Sequence, residues 1–199
     1  MPQARGWADY YEKLRDRPPR RTLVAALDAF GALGETPADA LAIDLGCGDG
    51  RDIVEILRRG WSVVAVDAEP EALRQLAARE LPGTITPIVA RLEEVPLPLG
   101  VQLVNSSFAM PLCESERFHE LWTRIRDELP AGGRFSGQWY GMRDSWVGRP
   151  AITFLERDAA LALLDGLDIE MFEEEEADSV TPRGNPKHWH IFHIVARKR

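Results

Sequence analysis

A short apolar run, Leu41 to Ile43, passes without a break into Asp44-Leu45-Gly46-Cys47-Gly48-Asp49-Gly50 and then into helix-forming sequence from Asp52. Three glycines at alternating positions let the backbone turn sharply and come close to a ligand where a Cβ would collide. A strand that ends in such a loop and restarts as a helix is a ligand-cradling unit of α/β proteins. The segment therefore directs attention to a sheet flanked by helices, with a binding site at the carboxyl end of its strands.

The rest of the chain keeps that order. β-rich runs at Leu41 to Leu45, Ser62 to Val66, Thr84 to Val89, Val101 to Ser106 and Arg134 to Trp139 alternate with helical stretches at Asp52 to Arg59, Pro70 to Glu80 and Ser115 to Leu129. Gly60 stands where a helix should stop and Pro70 where one should start. Strand-helix alternation predicts a parallel sheet with helices on both faces. A further helix, Glu156 to Leu164, precedes the runs Leu167 to Phe172 and His188 to Ala196, which no helix separates. Those two are expected to pair as a hairpin with the last strand antiparallel. The expected fold is thus a Rossmann-like three-layer α/β sandwich with a seven-stranded, mostly parallel sheet. Before it lie two expected helices, Gly6 to Arg15 with Trp7, Tyr10 and Tyr11 on one face, and Arg21 to Leu33. At 199 residues the chain reads as one domain, with residues 1–40 available as a lid and 41–199 as the core. The acidic run Glu173 to Glu176 reads as a solvated turn.

Charge narrows the partners. A formal net charge of -8 opposes the clustered basic surface that grips a phosphate backbone, so nucleic acid is not expected as a partner. Two cysteines, Cys47 and Cys113, make neither a disulfide framework nor a metal-binding pair, which fits a cytoplasmic protein. No stretch is long and apolar enough to predict a membrane span.

The loop's spacing discriminates between ligands. A dinucleotide fingerprint needs a small residue at position 51, where this chain has Arg51, and a phosphate-binding loop needs a Gly-Lys-Ser or Gly-Lys-Thr that is absent. The next expected strand ends in Asp67, at about the 20-residue distance of a ribose-binding acid, although an aspartate before Pro70 also suits a helix cap.

The pattern acid-x-Gly-x-Gly-x-Gly at Asp44 to Gly50, followed by Asp67, resembles the first two motifs of class I S-adenosylmethionine-dependent methyltransferases. The resemblance implies a loop, Gly46, Cys47 and Gly48, around the methionine part of S-adenosyl-L-methionine. It gives Asp44 to the ligand's ammonium group, and Asp67 with Ala68 to the ribose. Ala90 to Pro96 is similar to the element that lies against adenine. There Arg91 stands where many members have an aspartate, which leaves Glu93 or the Leu92 backbone for that contact. Val101 to Ala109 is similar to the fourth-strand motif and contributes Asn105, with Gln102 replacing the usual aspartate, and Leu129 to Arg134 is similar to the turn before the fifth strand. Within the family the small-molecule enzymes, the tellurite-resistance type among them, are the nearest in appearance. What this implies is direct in-line transfer of a methyl group to a small-molecule acceptor by a monomer or homodimer. The other open reading is a catalytically weak domain that binds S-adenosylmethionine or S-adenosylhomocysteine as a sensor or partner subunit.

Beyond the fourth and fifth strands the chain places Phe108, Ala109 and Met110, then Trp139 to Trp146, at the edge where open sheets bind ligands. These residues suit either a pocket wall or the edge of the core. The run His188-Trp189-His190-Ile191-Phe192-His193 alternates across a strand, so at most two of its histidines share a face and no metal site is expected. His188 and His190 remain candidates for a general base, or for strand-end residues satisfied by local hydrogen bonds. His119 reads as a surface residue.

Overall fold

The computed structural model describes residues 17–32, 39–181 and 184–199. The expected helix Gly6 to Arg15, its aromatic face and its use as a lid lie outside the described residues. Among them the chain forms five α-helices, α1 (Arg21–Ala32), α2 (Ile53–Arg58), α3 (Pro70–Ala77), α4 (Ser115–Glu128) and α5 (Arg157–Leu163). The strands are β1 (Leu41–Leu45), β2 (Ser62–Asp67), β3 (Ile85–Val89), β4 (Leu103–Ser106), β5 (Arg134–Gly141), β6 (Phe154–Leu155), β7 (Leu167–Val180) and β8 (Pro186–Lys198).

They make one sheet in the order β3-β2-β1-β4-β5-β8-β7, with the two-residue β6 paired to the end of β5. β1 to β5 run parallel, whereas β8 lies antiparallel to both β5 and β7. The order reverses between β1 and β4, and such a switch point opens a crevice beyond the carboxyl ends of the two strands. The glycine loop leaves β1 at that point. β6 was not legible as a strand, because two residues carry no alternation.

Each face of the sheet buries its own core. Leu23, Leu27 and Phe30 of α1 pack with Ile53 and Ile56 of α2 and Leu73 and Leu76 of α3 against the inner residues of β1 and β2. On the other face Phe118, Trp122 and Ile125 of α4 meet Phe135 and Trp139 of β5 and Phe192 of β8. The Trp122 and Trp139 rings meet edge to face at 4.9 Å. Helix α2 closes as the sequence predicts. Gly60, at φ +81°, donates to the Leu57 carbonyl and Trp61 to that of Ile56, which satisfies the last turn by a left-handed glycine.

The acidic run is the main correction. Glu173 to Glu176 lies inside β7, which continues to Val180 as half of a long hairpin, and is not a turn. Alternation sends Glu174 and Glu176 to one face, where they pair with Arg143, His190 and His188. Glu173 and Glu175 point to the other, where they meet Arg21 and His193. Four like charges in a row read as solvated, but each has a distant basic partner that no local pattern announces.

Candidate functional site

Two cavities open at the carboxyl end of the parallel strands. The smaller, of about 80 Å³, is lined by Asp44, Gly46, Cys47, Gly48 and Asp52, together with Arg20 and Phe108. The larger, of about 590 Å³, shares Arg20 and Phe108 with it and extends under the β7/β8 hairpin. Its size falls within the range of small-molecule sites, roughly 300–1,000 Å³.

The small cavity is built on the registration of three strands. Asp44 of β1 stands beside Asn105 of β4, which stands beside Ser136 of β5. Asn105 is fully buried and donates from Nδ2 to Asp44 Oδ1 at 2.8 Å and to Asp52 Oδ2 at 3.2 Å, while its Oδ1 accepts from the Ser136 hydroxyl at 2.8 Å. It therefore acts as a positioning residue that bridges two carboxylates. Asp52 also accepts from the Arg20 backbone N–H and the Ser107 hydroxyl. Asp44 differs: its second oxygen, Oδ2, is buried and has no partner among the described residues. Burial and the neighbouring Asp52 carboxylate push the Asp44 carboxyl well above the usual range. A buried acceptor with unmet hydrogen-bonding capacity is a place for a cation.

Glycine is required here by geometry. Gly46 sits at φ +78°, and a Cβ on it would come within 2.2 Å of the Ala109 Cβ. Leu92 lies next in line at 3.9 Å, so the loop, the Ala109 turn and the 3₁₀ turn Leu92–Glu94 converge on one spot. Asp67, at the end of β2, accepts from the Gly48 N–H at 2.8 Å and from the Glu69 N–H at 2.9 Å. The carboxylate therefore locks the loop and also binds the backbone just before α3, whose N-cap is Glu69. Burial raises its carboxyl above the ordinary value. Ala68 is exposed beside it. Burial and the carboxylates around it also push the Cys47 thiol up, so it stays protonated and packs.

Glu93 is less available. Its carboxylate pairs with Arg91 at 2.5 Å and accepts from the Cys113 thiol, which burial and that carboxylate push up to about 12. The departures noted in the sequence gain a local explanation too. Gln102 uses its side-chain oxygen to accept from the Leu41 N–H at 2.7 Å, holding the start of β1. Arg51 reaches across the loop to donate to the Pro18 carbonyl at 2.7 Å.

In the larger cavity the aromatics divide. Phe108, Tyr140, Trp146 and Trp189 line it, while Trp139 and Met110 face the core. Phe108 holds its place at φ +59°, a strained conformation for a bulky side chain, with the Arg20 guanidinium 4.4 Å from its ring centroid. The histidines divide as well. His188 and His190 lie on the face of the hairpin away from the cavity, engaged by Glu176 and Asp178 and by Glu174. His190 also accepts from the Arg143 N–H. Of the four histidines His193 alone lines the cavity, with Nε2 at 2.8 Å from Glu175 and its basicity lowered by burial. Sequence alternation separated His193 from the other two correctly, but which face lines the cavity depended on how β8 pairs with β5. His119 is exposed on α4. Asp52, Arg20 and Ser107 were missed, since nothing in their spacing ties them to Asp44. Among the described residues no group of three or more His, Cys, Asp or Glu is placed to hold a metal ion, and no helix is long and apolar enough to cross a membrane.

Comparison with known proteins agrees with this architecture. A family model described as a methyltransferase domain matches residues 42–133. No curated protein sequence matches the chain. Among solved structures, TehB from Haemophilus influenzae superposes with a TM-score of 0.72 at 14% identity, covering 87% of this chain, which spans 61% of TehB. Magnesium protoporphyrin IX methyltransferase (ChlM) from Synechocystis PCC 6803 with bound SAH gives 0.69 at 12% identity, covering 98% of this chain and 95% of that one. The 1,6-didemethyltoxoflavin-N1-methyltransferase of Burkholderia thailandensis gives 0.63 at 19%, covering 98% and 86%.

Proposed function

We propose that this chain, whose residues 42–133 match a methyltransferase domain, is a class I S-adenosylmethionine-dependent methyltransferase that transfers the methyl group to a small-molecule nucleophile held in the 590 Å³ cavity. The observation that carries the reading is the buried Asp44 Oδ2 at the lip of the glycine loop, which has no hydrogen-bond partner among the described residues. It fits the ammonium of an amino-acid group, and Arg20, on the same small cavity, fits the carboxylate. Asp67 and Ala68 at the end of β2 suit the ribose, and the backbone around Leu92 suits the adenine, with Glu93 already engaged by Arg91.

When bound, S-adenosylmethionine supplies an electrophilic methyl on a sulfonium, which needs little further activation. The protein's part is then to orient the acceptor and exclude water. Phe108 and Arg20, shared by both cavities, stand at the junction across which the methyl must pass. Where the acceptor must lose a proton, His193 is the histidine in position, with Glu175 to orient its ring; His188 and His190 are not. Calorimetric titration with S-adenosylmethionine and S-adenosylhomocysteine tests the donor half. Binding of both in the micromolar range is expected, and no binding of either would overturn it. Labelled methyl transfer into a metabolite extract separates an enzyme from a sensor, which would bind without transfer.

A further inference from the structure

The larger cavity carries a charge opposite to that of the chain. The protein has a net charge of -8, yet Arg17, Arg20 and Arg149 line this cavity against one carboxylate, Glu175. That carboxylate is already bound to His193. Arg20 borders the donor cavity as well, which leaves Arg17 and Arg149 to the acceptor side. The Arg149 guanidinium lies 4.7 Å from the Trp146 ring centroid, so charge and aromatic surface are adjacent.

The aromatic wall is continuous. Phe108 and Trp189 approach at 6.1 Å, Tyr140 and Trp189 at 6.2 Å, and Trp146 and Trp189 at 5.8 Å. Such a wall by itself would suit a cation over the ring faces. Here that role is taken, because the buried Lys187 ammonium sits 3.8 Å from the Trp146 centroid and 4.2 Å from that of Trp189, and is paired with the buried Asp144. A cationic acceptor would meet the guanidiniums of Arg17, Arg20 and Arg149. A neutral polyol would stack on the rings but leave the arginines without an ionic partner in the ligand.

We propose that the methyl acceptor is a planar aromatic molecule bearing a carboxylate, its ring against Phe108, Tyr140 and Trp189 and its anionic group met by Arg149 and Arg17. Calling the bound molecule an acceptor rests on the methyltransferase reading; the preference for an aromatic anion does not. The test uses the full-length protein without added donor and follows quenching of tryptophan fluorescence. Its probes are 4-hydroxybenzoate, salicylate and 3-hydroxy-2-naphthoate, each against its own amide, and tyramine. At least one carboxylate is expected to bind about tenfold more tightly than its amide, the size of one charge-assisted hydrogen bond. Arg149→Gln should abolish that preference at an unchanged melting temperature, and Arg149→Lys should retain part of it. Amides that bind as well as the acids, a preference for tyramine, no binding by any probe, or a preference that survives Arg149→Gln and Arg17→Gln together would overturn the proposal. S-adenosylmethionine titrated into the same preparation keeps the two readings apart. Donor binding without the carboxylate preference removes only the acceptor class, and the preference without donor binding removes only the methyltransferase reading.

Discussion

Replacing Gly46 with alanine puts the glycine loop to its most direct test. The residue sits at φ +78°, where a side chain costs roughly 1–2 kcal/mol through the clash of Cβ with its own carbonyl. The new Cβ would also lie 2.2 Å from the Ala109 Cβ, and relieving an overlap in packed surroundings costs about 1–3 kcal/mol more. The expected loss is therefore about 2–5 kcal/mol. Gly60 is the matched control, because its φ of +81° is nearly the same and a Cβ there meets nothing within 4 Å. Gly60→Ala should show the conformational part alone. With a urea slope of about 2 kcal/mol per molar, the two variants should unfold with midpoints roughly 0.5–1.5 M apart, Gly46→Ala being the less stable. Adding Ala109→Gly to Gly46→Ala removes the colliding atom and should recover much of the gap, a coupling that a double-mutant cycle reads directly. Equal midpoints for Gly46→Ala and Gly60→Ala, or no recovery with Ala109→Gly, would refute the close approach of loop and turn.

Further outcomes follow from the same structure. Asp44→Asn keeps the shape but removes the charge facing the cavity, so S-adenosylmethionine affinity should fall roughly 10- to 100-fold by calorimetry; wild-type affinity would remove Asp44 from the site. Because burial raises the Asp44 carboxyl in the folded protein, its stabilising contribution is complete at pH below its unfolded value and is lost as pH rises through the folded value. Cofactor affinity should rise over the same interval, and urea midpoints of Asp44→Asn measured alongside wild type should lack that dependence. Asp67→Ala should weaken cofactor binding and speed hydrogen exchange at the Gly48 amide, which loses its acceptor; exchange unchanged there would place the Asp67 carboxylate elsewhere. Lys187→Met strands a buried Asp144 carboxylate and should destabilise the protein by about 3–5 kcal/mol, with Lys187→Met/Asp144→Leu recovering most of it in the same urea titration.

The glycine-loop cavity, where the proposed donor would sit, was legible because its residues are local in sequence. Asp44, the glycines and Asp67 lie within 24 residues, and one β-α-β unit with a fixed parallel register is enough to bring them together. The missing helix between the last two runs also gave the antiparallel last strand, and strand period gave the separation of His193 from His188 and His190. What a single sequence does not contain is which face of a hairpin meets the rest of the protein. That depends on β8 pairing with β5, from Arg134 with Arg197 to Tyr140 with Ile191, across at least 50 residues of intervening chain. The same ignorance made Glu173 to Glu176 look like a turn: a run of carboxylates is solvated unless something distant answers it, and here Arg21, Arg143, Arg157, His188, His190 and His193 do.

This division has a chemical consequence. A methyl donor with an amino-acid end presents the same groups whatever the acceptor, so its contacts can be carried by a short, self-contained unit, Asp44 to Asp67. The larger cavity, the acceptor site under the proposed function, is assembled instead from the segment before α1, the turns after β4 and β5, and the β7/β8 hairpin, four pieces that meet only in the folded chain. Loops and hairpins at the rim of a sheet change without disturbing its core. Acceptor choice is therefore expected to shift with substitutions at Arg17, Trp146, Arg149 and Trp189 while donor affinity stays constant. Arg20 and Phe108 belong to both cavities, and substitution there should move both affinities together. If donor and acceptor affinities changed in parallel at Arg149 as well, the two halves would be one site and this separation would be wrong.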